Sequence, residues 1–103
     1  MTRLDFEKEE MRRLYPQFSF FSGNGKSGWK GNLKGYQFQI ICPSGYPTAS
    51  PEVYDSPLIN TLHRFEDNRL CLWRSEEWKA DWTVATVVTI ILRFLDDYSK
   101  GKV

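Results

Sequence analysis

One hundred and three residues make one small domain, because a typical domain takes roughly 150 and two cannot share this length. Hydrophobic residues are 41% and aromatics 16%, which excludes the aromatic-poor composition of a disordered chain. Fourteen Lys+Arg against thirteen Asp+Glu leave a net charge of +1, too weak a field for non-specific binding to nucleic acid or an anionic membrane to be the main work.

The chain opens with a predicted helix. Thr2 and Asp5 fit a capping box, and Leu4, Met11, Leu14 and Phe18 recur at helical spacing. Arg3, Glu7, Lys8, Glu9, Glu10, Arg12 and Arg13 fill the other faces, and Pro16 predicts a stop around Tyr15. Strands follow. Gln17 to Phe21 is rich in aromatics and runs into the turn-forming cluster Ser-Gly-Asn-Gly-Lys-Ser-Gly. Trp29 to Leu33 reads as a short second strand, and Gly35 marks the next turn. Tyr36, Phe38 and Ile40 alternate with Gln37, Gln39 and Ile41, the period-two signature of a half-buried strand. These pieces predict an antiparallel meander.

Four of the five prolines lie between Pro43 and Pro57, so that stretch is not regular helix. Glu52 to Asp55 reads as a short fourth strand. Residues 58–82 form a long irregular segment holding the single histidine, Cys71 and three of the four tryptophans. A loop this long in a small domain points to function. A second helix closes the chain. Val84, Val87, Val88, Ile91, Leu95 and Tyr98 keep helical spacing, Asp81 or Thr83 caps its start, and Gly101 lies past its end.

Several chemistries are excluded. Gly23 to Gly28 contains Gly25-Lys26, but the first glycine of a Walker A loop would fall at Phe20, and a strand rather than a helix follows; the segment reads as a hairpin turn. One histidine and two cysteines 29 positions apart offer neither paired zinc ligands nor a disulfide framework. No cofactor is implied. The charged first fifteen residues do not read as a signal peptide, and no apolar run reaches the ~20 residues of a membrane span. The expected setting is the cytoplasm, with both thiols reduced.

Cys42 ends an alternating strand and reads as a packed small hydrophobe. Cys71 has two readings. Leu70 and Leu72 beside it favour a buried structural cysteine. His63, Asn60, Asn68, Arg69 and Arg74 stand near it in sequence, and cationic neighbours favour the reactive thiolate.

The ordered set of these segments resembles the ubiquitin-conjugating enzyme family over nearly the whole chain. YQFQIICP leads into GYPTASPEV, similar to the family's Tyr-Pro…Pro-x-Val loop and strand. His63 precedes Leu70-Cys71-Leu72, as the family's histidine motif precedes its catalytic Ile/Leu-Cys-Leu. Thr83-Val84 opens the closing helix five positions after Trp78, as in the family's Trp-Ser-Pro…Thr-Ile segment. The resemblance implies an α+β, UBC-like fold over residues 1–103: an N-terminal helix, a four-stranded antiparallel meander, a long active-site loop and a closing helix.

It implies that Cys71 accepts a ubiquitin-like modifier, or another protein C-terminus, as a thioester from an activating enzyme and passes it to a target amine. His63 would shape the loop, and Asp81 or Glu77 would serve as an acidic gate for the amine. Arg3, Lys8, Arg12 and Arg13 of the first helix would bind the activating enzyme, and Tyr46 and Pro47 would contact a partner. There are departures. The family's His-Pro-Asn is His63-Arg64-Phe65 here, the interval from His63 to Cys71 is eight positions, and Lys79-Ala80 follows Trp78. Asn68, Asn60 or a backbone N–H is left to support the oxyanion. The expected absence of the family's C-terminal helices resembles prokaryotic members from antiphage operons, including those with cyclic-oligonucleotide synthases (CBASS). Two rivals stand beside this reading: a catalytically inactive variant of the fold acting as a binding or scaffold module, and a redox-sensing thiol protein, which lacks a resolving partner near Cys71.

Overall fold

The computed structural model describes residues 2–101. Helix α1 (Arg3–Leu14) is followed by four strands, β1 (Ser19–Gly23), β2 (Lys26–Leu33), β3 (Tyr36–Cys42) and β4 (Glu52–Ser56), then by a single 3-10 turn (Ser75–Glu77) and helix α2 (Val84–Ser99). The strands pair antiparallel in the order β1-β2-β3-β4, an unbroken meander. Among the described residues no helix is long and apolar enough to cross a membrane.

The two tight hairpins follow from their turn residues. Asn24 (φ 52°) and Gly25 (φ 75°) take the left-handed conformations of a two-residue turn, as do Lys34 (φ 53°) and Gly35 (φ 91°). The first turn is therefore shorter than the glycine-rich cluster predicts. Lys26, Ser27 and Gly28 belong to β2, which starts three residues before Trp29. Gly31 has another role. A Cβ there would lie 2.7 Å from Cγ of Phe18 and 2.9 Å from the Gln17 carbonyl, so its missing side chain lets the chain before β1 lie against the sheet.

Pleating sorts the strand residues. Trp29, Ile40 and Val53 share a register line and are buried, and Phe38 and Cys42 lie on the same face. Against that face packs α2, whose Val84, Val87, Val88 and Ile91 are fully buried. Each such side chain contributes on the order of 1.5–3 kcal/mol. The β-branched run in this segment is helical because its apolar residues keep helical spacing and Thr83 caps it, with Thr83 Oγ1 accepting from the Thr86 N–H at 3.4 Å. Phe94 and Ala85 join the buried stripe, and Gly101 (φ 73°) follows the helix end.

The first helix departs from its predicted faces. Thr2 and Asp5 form the expected capping box. Met11 is buried, but Leu14 is 47% exposed, and Glu7, expected on a solvated face, is 1% exposed. Glu7 is buried because it is fully partnered. Its Oε2 accepts from Arg3 Nε at 2.8 Å and from the Tyr46 hydroxyl at 2.6 Å, and its Oε1 accepts from the Val84 N–H at 2.6 Å. Val84 is the first residue of α2, so Glu7 supplies an acceptor and a negative charge to the N-terminus of another helix.

Arg3 extends the knot. Its guanidinium donates to the Ala80 carbonyl at 2.7 Å, to the Trp82 carbonyl and to the Tyr46 hydroxyl at 3.3 Å. Residues 43–51 are tied down by Trp78, whose indole N–H donates to the Pro47 carbonyl at 2.7 Å. Trp78 also touches Tyr46, Trp73 and Trp82, with ring centroids 5.5–6.2 Å apart.

Candidate functional site around Cys71

Residues 58–82 are less irregular than their composition suggests. Arg64 and Leu70 form an antiparallel bridge. The Cys71 N–H donates to the His63 carbonyl at 2.8 Å and the Phe65 N–H to the Arg69 carbonyl at 2.9 Å, making a small hairpin. Asn68 turns its tip with φ 71°, a conformation asparagine tolerates. The returning arm lies along the free edge of β4, where the Leu70 N–H donates to the Val53 carbonyl at 2.8 Å. Successive residues of an extended arm face opposite ways. Leu70 is buried in the core, so Cys71 turns outward.

An ion pair fixes this hairpin. Arg64 Nη1 and Nη2 each lie 2.7 Å from a carboxylate oxygen of Asp55 on β4, the paired geometry that suits a guanidinium. Arg64 also donates to the carbonyls of Ile59 at 2.7 Å and Asn68 at 3.0 Å. The Asp55 side chain is fully buried and that of Arg64 is 13% exposed. A third donor, the Ile59 N–H, reaches Asp55 at 2.8 Å. The hydrogen bonds to Asp55 raise the Arg64 pKa further above its ordinary value. Arg64 is the residue where the resemblance leads one to expect proline. Its position in sequence gave no sign of this clamp, because the partner carboxylate comes from a separate strand.

Cys71 is half-buried and lines a pocket of about 220 Å³ that opens to solvent. Its thiol lies 3.8 Å from the Trp73 carbonyl, within reach of a weak S–H donor bond. His63 and Leu72 line the pocket from the hairpin side, and Ile90, Arg93, Phe94 and Asp97 line it from α2. Those four occupy one helix face, at i, i+3, i+4 and i+7. Helical spacing alone groups Arg93 with Asp97, but only packing brings that face to Cys71. A thiol, an imidazole, a guanidinium and a carboxylate thus meet in one recess, a set suited to nucleophilic attack on a carbonyl and to charge stabilisation.

The other candidates lie elsewhere. Asn68 is exposed at the hairpin tip, and Asn60 and Asp81 are exposed; none lines the Cys71 pocket. Glu77 accepts from the Arg74 N–H at 2.6 Å and closes the 3-10 turn. On α1, Arg3 is joined to Glu7, as is Tyr46 from the proline-rich loop; Lys8 lies over the Phe20 ring at 4.3 Å, and Arg12 pairs with Glu9 at 2.6 Å. Arg13 is exposed. Pro47 offers its carbonyl to Trp78.

A second, larger cavity of about 450 Å³ lies between α1, the β1–β2 hairpin and the start of the proline-rich loop. Cys42 is buried there. Burial, and then the charge of Glu7, pushes its thiol up to about 12, so this cysteine stays protonated at neutral pH. Among the described residues no three His, Cys, Asp or Glu side chains cluster as metal ligands. No protein-family model matches the chain, and no curated protein matches it significantly.

Proposed function

We propose that this protein is a cysteine thioester carrier with a UBC-like fold, a conjugating transferase for a ubiquitin-like modifier or another protein C-terminus. The carrying observation is the presentation of Cys71: outward on a pinned hairpin, half-buried beside His63, at the wall of an open pocket. Cys42, by contrast, is sealed in the core and held protonated.

In this reading the Cys71 thiolate attacks a thioester held by an activating enzyme. The carbonyl becomes an oxyanion, and its collapse expels the activating enzyme's thiolate, leaving the acyl group on Cys71. A target amine then attacks the same carbon and expels Cys71. Sulfur suits both steps, being a good nucleophile near neutral pH and a better leaving group than the amide nitrogen it yields to. His63 holds the hairpin through its carbonyl, and Asp81 is the proposed acidic gate. Arg3, Lys8, Arg12 and Arg13, with Tyr46 and Pro47, form the proposed partner surface. The resemblance further supports a cytoplasmic setting in a bacterial antiphage operon.

One observation favours the binding-module reading instead. Among the described residues no carboxamide side chain lines the Cys71 pocket, so the family's usual oxyanion donor has no counterpart there. A single assay separates the two. The protein is mixed with an activating enzyme and modifier verified as a working pair, and with ATP, then run on non-reducing gels. A thiol-sensitive adduct at Cys71 that Cys71→Ser loses, or replaces by a thiol-resistant ester, is the expected result. A wild-type protein that forms no adduct with that partner set refutes the carrier reading.

A further inference from the structure

We infer that Arg93 is the oxyanion donor of this site, an inference that rests on the thioester-carrier reading above. Any acyl group on Cys71 must pass through a tetrahedral intermediate whose oxygen carries a full negative charge, and a donor aimed at that oxygen is the largest single aid to the step. The amide candidates, Asn60 and Asn68, lie outside the pocket. Arg64, the nearest guanidinium in sequence, has its donors committed to Asp55, Ile59 and Asn68.

Arg93 is different. It lines the pocket together with Cys71, and among the described residues no hydrogen bond or ion pair engages its guanidinium. Asp97, one turn further along the same helix face, lines the pocket too but is not paired with it. A guanidinium is charged at every pH of interest and offers five N–H donors in a fixed plane. It sits on a sixteen-residue helix whose Ile91, Phe94 and Leu95 are buried, so its backbone position is rigid. The α2 wall therefore supplies what the hairpin lacks.

The step balances without any further reactant. The amine nitrogen attacks the thioester carbon, and the C=O π pair moves to oxygen, where Arg93 donates to it. The pair returns, the C–S bond breaks and the Cys71 thiolate leaves. The nitrogen gives its proton to water and the thiolate takes one from water, leaving an amide and a thiol.

The test uses the full chain with Cys71 loaded chemically, by exchange with the 2-mercaptoethanesulfonate thioester of a short glycine-ended peptide. Discharge to free lysine is followed for the wild type, Arg93→Ala and Arg93→Lys. Alkylation of Cys71 by iodoacetamide, a displacement with no oxyanion, is measured in parallel. Arg93→Ala is expected to slow discharge by about 10²-fold, near the low end for one oxyanion donor because Arg93 is exposed and its charge is screened. Its alkylation rate should fall far less than discharge does, because losing a cationic neighbour only lowers the thiolate fraction, and Arg93→Lys should recover part of the loss. Discharge within about threefold of wild type in Arg93→Ala would overturn the assignment. So would a loss matched by an equal loss of alkylation, which marks a disturbed thiol. These outcomes leave the carrier reading standing, whereas its own failure shows separately, as a wild-type protein that takes no modifier from its activating enzyme.

Discussion

Truncating Arg64 is the most informative single perturbation, because one side chain joins the sheet to the hairpin that presents Cys71. Arg64→Ala removes both 2.7 Å bonds to Asp55 and leaves its buried carboxylate with the Ile59 N–H as its remaining donor. Breaking a buried pair by removing one partner costs about 3–5 kcal/mol, mostly the penalty of the stranded charge. A domain of this length has about 5–15 kcal/mol in total, so the loss is roughly a fifth of it or more. With a urea slope of about 1.5 kcal/mol/M the midpoint should fall by about 2 M or more. Asp55→Ala/Arg64→Ala strands no charge and should be more stable than the two single losses add up to, with a coupling of about 1–3 kcal/mol. Hydrogen exchange should show the Cys71 and Phe65 amides losing protection more than those of the central strands. A midpoint shift worth less than about 1 kcal/mol, or strictly additive single variants, would refute the clamp as the device that fixes the hairpin.

Other outcomes follow from the same geometry. Glu7→Ala should destabilise by about 3–5 kcal/mol in chemical denaturation, because it leaves the buried Val84 N–H and the Tyr46 hydroxyl without their acceptor and breaks the ion pair to Arg3, while Glu7→Gln should cost less because it keeps an acceptor. Gly31→Ala should cost about 1–3 kcal/mol, since the new methyl meets Phe18 and the Gln17 carbonyl with no room to move. At pH 8 only about one Cys42 thiol in 10⁴ is ionised, given a pKa of about 12, so mass spectrometry after brief alkylation should find Cys71 modified and Cys42 intact. The same shift sets an alkaline limit. The Cys42 thiol ionises near 9 when unfolded and at about 12 when folded, so the folded state holds the extra proton between these values. Its stabilisation is complete below pH 9 and is lost as pH rises toward 12; Cys42→Ala should flatten that part of a melting-temperature profile.

Local patterning made much of the architecture legible. The capping box at Thr2, the alternation from Tyr36 to Ile40, the turn at Gly35 and the apolar stripe from Val84 to Leu95 depend on residues close in sequence, and each formed as its pattern implies. The errors are also local in origin. Glu7 looked like a solvated charge because its partners, Tyr46 and Val84, are 39 and 77 positions away. Segment 58–82 looked irregular because its order comes from the β4 edge, from Asp55 and from the tryptophan cluster rather than from its own periodicity. The sequence by itself determined which thiol was worth attention: Cys71, in a long loop between leucines. Only the tertiary structure decided how that thiol is held and what faces it. Arg64 pins its hairpin, and Arg93 and Asp97, more than twenty positions downstream on α2, reach its pocket. A helix or turn is written in neighbouring residues, but a constellation of charges around one sulfur forms only when distant segments bury a common core.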